Sequence, residues 1–116
     1  MRLDVKEIQK QHIFGNKSFR AIGENLGVTK QYLSFICNDK KANSEKVFKE
    51  LLDEFESTKN NYSVFDRIRI KRKLLNVTQK AAADEVGTHA SVVTRIENGE
   101  LPHSIFVQRL ADYLEV

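Results

Sequence analysis

The chain carries one pattern twice, with the copies set 60 residues apart. Between positions 5–38 and 65–98, six pairs are identical: Ile8/Ile68, Asn16/Asn76, Ala21/Ala81, Gly27/Gly87, Ile36/Ile96 and Asn38/Asn98. Conservative pairs lie among them, including Ser18/Thr78, Arg20/Lys80, Glu24/Asp84, Leu26/Val86, Leu33/Val93 and Ser34/Thr94. Beyond Asn38 the offset falls to 59, aligning Leu51 with Leu110 and Phe55 with Leu114. A one-residue length change in a surface loop is ordinary. A length of 116 residues allows one ordinary domain or two very small ones. The repeat decides for two units, 1–58 and 59–116, divided near the polar run Glu56–Ser63, which reads as the linker. Neither half is long enough for a large core, so the two are expected to lean on one another.

Within each copy the spacing predicts helices. The chain has one proline and five glycines, and no stretch alternates as a strand would, so the expected fold is all-α. Ser18 and Thr78 stand as N-caps, whose hydroxyls take an orphan N–H of the first turn. A short helix follows, with Ile22, Gly23 and Leu26, or Ala82, Ala83 and Val86, on its inner side. Gly27 or Gly87 then supplies the left-handed turn. The next helix places Leu33 and Ile36, or Val93 and Ile96, three apart on one face. A small residue at Gly23 or Ala83 lets the second helix cross close to the first. This is the spacing of a helix-turn-helix, weak evidence once and much stronger twice in register.

Composition narrows the functions. With 41% hydrophobic and 30% charged residues the balance is that of a soluble globular chain. The net charge of +3 suits a polyanionic partner. No apolar run reaches the ~20 residues of a membrane helix, and the charged start Met1–Lys6 lacks a signal-peptide core. A cytoplasmic protein is expected. The single cysteine, Cys37, excludes an internal disulfide and reads as a buried inert thiol. His12, His89 and His103 have no Asp or Cys at ligand spacing, so no metal or cofactor is expected. No carboxylate pair, phosphate loop or HExxH motif marks an enzyme.

The second copy, Thr78–Gly87 followed by Ser91–Gly99, resembles the Cro/phage-repressor-type (XRE-type) helix-turn-helix domain. The likeness runs from about Phe65 to Val116, with Arg72 upstream and Leu110–Leu114 downstream. The first copy keeps the general pattern but lacks the Thr-Gln and Ile-Glu-Asn-Gly signatures. The resemblance implies a DNA-reading helix over 89–98, with His89, Ala90, Ser91, Thr94 and Arg95 outward rather than as a merely solvated face. Arginine suits guanine, while Ser, Thr and Ala suit base edges or a thymine methyl. Thr29, Lys30, Gln31 and Ser34 correspond in the first copy, where Tyr32 and Phe35 are assigned to packing between repeats ahead of contact with a base.

Gln79, by resemblance, holds a phosphate at the start of its helix, and its counterpart Phe19 has no side chain for that task. Ser18, Thr78, Lys17, Arg20, Lys40, Lys41 and Lys80 are the further backbone candidates. The run Arg67, Arg69, Lys71, Arg72 and Lys73 is denser, but helical periodicity scatters it, so only part is expected to touch DNA. The family also implies a partly buried ion pair between Arg72 and Glu97, which the first copy replaces with His12 and Cys37. The family's usual fifth helix has no counterpart before Val116, so the first repeat is expected to cover the second. Together these give tandem helix-turn-helix units packed as an internal pseudo-twofold dimer, monomeric but open to further self-association. The expected function is binding of double-stranded DNA as a transcriptional regulator, a repressor. The alternatives are an accessory DNA-binding protein of a plasmid, phage or conjugative element, acting at an origin or in DNA transfer, and a protein-binding antitoxin or antirepressor.

Overall fold

The computed structural model describes residues 4–38 and 44–116, and among these it is helical with no strand. In chain order the helices are α1 (Val5–Ile13), α2 (Phe19–Leu26), α3 (Lys30–Asn38), α4 (Ser44–Thr58), α5 (Val64–Leu74), α6 (Gln79–Val86), α7 (Ala90–Glu97) and α8 (Ile105–Leu114). A 3₁₀ turn, Lys59–Asn61, follows α4. The chain divides into two compact units, Met1–Leu51 and Leu52–Val116. No described helix is long and apolar enough to cross a membrane. Lys40 and Lys41 lie outside the described residues.

In the first unit, Asp4 caps α1 by accepting from the N–H groups of Lys6 (3.0 Å) and Glu7 (3.3 Å). Ser18 Oγ caps α2 through Ala21 N (3.1 Å), and Gly27 ends that helix at φ +74°. Thr29 Oγ1 then caps α3 through Tyr32 N (3.1 Å). A Cβ on Gly23 would stand 2.5 Å from the carbonyl oxygen of Val28, so a side chain there would require this turn to shift. Ile8, Ile22, Leu33 and Cys37 form the core, with Val5, Phe19, Leu26, Val28 and Ile36 against it.

Burial pushes the Cys37 thiol up to about 11. A folded-state value above the ordinary 9.0 means that the protonated core is favoured below pH 9. Stability is then lost between about pH 9 and about pH 11, as the unfolded thiol ionises first. At pH 8 an aromatic disulfide reagent should label Cys37 slowly in the native chain and fully in denaturant. Immediate labelling of the native chain would contradict this burial.

In the second unit the stretch read as a linker is structured. Glu56–Thr58 form the last turn of α4, and Lys59–Asn61 continue as the 3₁₀ turn. Ser57 Oγ and Thr58 Oγ1 both donate to the Glu54 carbonyl at 2.9 Å, so residues that look like loop formers finish a helix. Ser63 caps α5 through Asp66 N (3.2 Å). Glu56 pairs with Lys59 (3.2 Å) and Lys71 (2.9 Å), contacts that hold its carboxyl below the usual range. Thr78 caps α6 through Ala81 N (3.0 Å), and Gly87 ends it at φ +82°. Helix α8, capped by Ser104, packs on α5 and α6. Ile68, Ala82, Ala83, Val86, Val93, Ile96, Leu110 and Leu114 make the core.

The 60-residue offset extends to the backbone. Asn16 and Asn76 both take positive φ (53° and 57°). The turn amides repeat as Val28 N to Gly23 O (3.0 Å) and Thr88 N to Ala83 O (2.9 Å). Helices α2 and α3 are therefore joined by the same local turn as α6 and α7.

Candidate nucleic-acid interface

Helix α7 divides its side chains by periodicity. Val93, Ile96 and Glu97 point into the unit, while Ser91, Thr94 and Arg95 are exposed and Ala90 is half-buried. His89 is the exposed N-cap of α7 and makes no side-chain capping bond. Arg95 Nε lies 3.6 Å from Glu100 Oε2, with both side chains more than half exposed. Such a surface pair holds the arginine weakly. Lys80 and Thr78, at the start of α6, are also exposed.

A polar lattice fixes this face from beneath. Arg72 Nε donates to Glu97 Oε2 at 2.6 Å and Nη2 to Oε1 at 3.0 Å, with both residues 7% exposed. The third arm of the fork, Nη1, donates to the carbonyl of Val77 at 2.9 Å. Bidentate geometry of this kind is the strong form of the pair. Gln79 Nε2 donates to Glu97 Oε1 (3.1 Å), and its Oε1 accepts from the Thr94 hydroxyl (2.8 Å). The Ala90 carbonyl, 3.1 Å away, is a second acceptor for that hydroxyl. The start of α6 is thereby tied to the middle and end of α7.

This lattice changes the picture of Gln79 drawn from sequence. Its amide is oriented by Glu97 and Thr94 rather than standing free, and one of its two amide hydrogens remains for an outside acceptor. The spacing shows why the link was hidden. Thr94 and Glu97, three apart on α7, present a hydroxyl and a carboxylate that one glutamine spans. The changed partners at 60-residue offset, Phe19, Ser34 and Cys37, were the available signal.

The dense basic run is turned inward. Arg69, Lys71 and Arg72 are buried, and Arg67 and Lys73 are half-buried. Arg67 Nη1 donates to the Tyr62 carbonyl (2.6 Å), Arg69 Nη2 meets Asp66 (3.5 Å) and Lys71 meets Glu56. Burial first, then the neighbouring charges of Arg69 and Arg72, lowers the Lys73 pKa, while Glu97 opposes the shift. No residue of this run belongs to the exposed class.

In the first unit, His12 occupies the place of Arg72. Its Nδ1 donates to the Lys17 carbonyl at 2.7 Å, matching Arg72 on Val77, and its ring stacks on Phe19 at 4.0 Å. Cys37 takes the place of Glu97 and is fully buried. Lys30, Gln31, Arg20, Thr29 and Ser18 are exposed, and Ser34 is half-buried. Tyr32 and Phe35 are 49% and 69% exposed on α3. Leu33 and Cys37, four apart on α3, share the buried face, which leaves Tyr32 and Phe35 pointing away from it.

Residues 68–116 match the helix-turn-helix family model, in agreement with the resemblance drawn from Thr78–Gly99. Residues 68–116 are therefore similar to helix-turn-helix domains. No curated protein and no solved structure matched the chain. The helix-turn-helix domain is a DNA-binding fold, and α7 lies at the place of its second helix.

Proposed function

We propose that the chain is a transcriptional regulator that binds double-stranded DNA through two helix-turn-helix motifs, α6–α7 and the divergent α2–α3. The observation carrying this reading is the exposed row Ser91, Thr94 and Arg95 on α7, braced by the Arg72–Glu97–Gln79–Thr94 lattice. His89 and Ala90 extend the row at the helix start. Arg95 reads a base, while Lys80, Thr78 and the remaining amide hydrogen of Gln79 hold the backbone. In the first unit Thr29, Lys30, Gln31 and Ser34 take the reading positions, with Ser18, Arg20 and Lys17 beside the backbone. Repression follows from occupying the duplex against other proteins. An accessory role on a mobile element uses the same contacts.

The test is a mobility shift with random duplex and with a duplex selected from a random pool, each at two salt concentrations. Affinity should fall with salt at a slope reflecting several phosphates. Arg95→Ala should cost about 1–3 kcal/mol on the selected duplex and relax preference at one position. Lys80→Ala should weaken both duplexes alike. Equal loss on both duplexes for Arg95→Ala would return that residue to the backbone class. Absence of any shift would favour the protein-binding alternative, to which the exposed Tyr32 and Phe35 also lend themselves.

A further inference from the structure

The start of α2 and the outer face of α3 enclose an open hollow of about 720 Å³, lined by Ser18, Phe19, Arg20, Lys30, Gln31, Ser34 and Phe35. Shifted by 60 residues, this lining is Thr78, Gln79, Lys80, Ala90, Ser91, Thr94 and Arg95, the reading surface of the matched domain. The hollow has a specific origin. In the second unit Gln79 spans from α6 to Thr94 and Glu97 and fills the space. In the first, Phe19 turns onto the His12 ring.

We infer that this hollow is a thymine-reading site, with Phe35 as its specificity-determining residue; the inference rests on the DNA-binding reading above. The C5-methyl of thymine is the apolar group that a base pair offers in the major groove, and aromatic side chains are suited to it. Phe35 is the most exposed large apolar side chain among the described residues, and it stands at the position equivalent to Arg95. A phenyl ring there cannot accept or donate to a guanine edge, but it can cover a methyl. Arg20 and Lys30 at the margin bring positive charge towards phosphates, and no lining residue is acidic. Glu24, outside the lining, pairs with Arg20 at 3.4 Å, with both side chains exposed, so the guanidinium exchanges that partner readily. The first motif thus discriminates by apolar contact, where the second uses hydroxyls and a guanidinium.

The experiment uses the full chain and the duplex that wild type selects from a random pool, prepared with thymidine and again with deoxyuridine. Removing the methyl groups should weaken wild type by about fourfold for each methyl covered. Phe35→Ala should weaken binding to the thymidine duplex about tenfold and show a smaller penalty on the deoxyuridine duplex. A double-mutant cycle isolates the Phe35–methyl coupling from contacts made by the second motif. Because Phe35 is exposed, its loss should leave the melting transition in place, which a thermal scan checks. An equal deoxyuridine penalty in both chains would overturn the inference while leaving DNA binding intact. So would wild-type affinity in Phe35→Ala, which would make the aromatic face a protein-docking surface. Failure of wild type to bind any duplex would remove the DNA-binding reading, and this inference with it.

Discussion

Glu97→Ala is expected to destabilise the second unit by about 2–4 kcal/mol, a large share of the stability of so small a domain. The carboxylate accepts from two arms of the Arg72 guanidinium and from Gln79. Its removal leaves a cation that is 7% exposed and keeps only its bond to the Val77 carbonyl. A buried charge stripped of its partner costs more than the intact pair contributes. Replacing both residues with apolar side chains should therefore recover much of the loss. The first unit carries His12 and Cys37 at these two positions in place of the ion pair. Urea unfolding of wild type, Glu97→Ala and an Arg72→Leu/Glu97→Leu chain measures this directly. A single variant as stable as wild type would show that water or a neighbouring group satisfies Arg72. In the same variant the Lys73 pKa should fall further, since Glu97 is the contributor that raises it.

Caps and left-handed turns were legible because each depends on one residue type at one place. Ser18, Thr78, Gly27 and Gly87 announce themselves, and the paired Asn16 and Asn76 take positive φ in both copies. The inward positions of α3 and α7 were equally plain, because Leu33, Val93 and Ile96 repeat at helical spacing. Charge was harder to place. Of the five basic residues between Arg67 and Lys73, only part was expected to touch DNA, and α5 turns Arg67, Arg69, Lys71 and Arg72 towards Tyr62, Asp66, Glu56 and Glu97. The Arg72–Glu97 pair was expected through the resemblance, but Lys71 to Glu56, 15 residues apart, lies beyond any local pattern. The polar stretch Glu56–Ser63 misled for a related reason, since serine and threonine hydroxyls can end a helix as well as open a loop. The exposure of Phe35 was hidden in the same way. Periodicity puts it on the outer face of α3, but hydrophobicity argues for burial, and local sequence does not arbitrate between them.

A single chain is expected to occupy one asymmetric site, with both reading helices on one duplex. Dimeric helix-turn-helix proteins place two identical helices about one turn apart, ~34 Å, and so prefer palindromes. Here the proposed reading positions differ: Thr29, Lys30, Gln31, Ser34 and Phe35 against His89, Ala90, Ser91, Thr94 and Arg95. Two unlike surfaces call for unlike half-sites. Covalent connection makes the second contact intramolecular, which can raise affinity by about 10²–10⁴ over either motif alone. The gain depends on the connection holding both motifs within reach of one duplex. Lys30→Ala/Gln31→Ala should therefore lose about a hundredfold in affinity, although both residues are exposed and contribute little to folding. The protected length should be about one to one and a half helical turns, and light scattering on a short duplex should find one chain per site. Two chains per site, or unchanged affinity in the double variant, would make the first motif a structural partner of the second. In that case the specificity of the protein would rest on α7, and a symmetric site would follow from pairing of two chains through the same face.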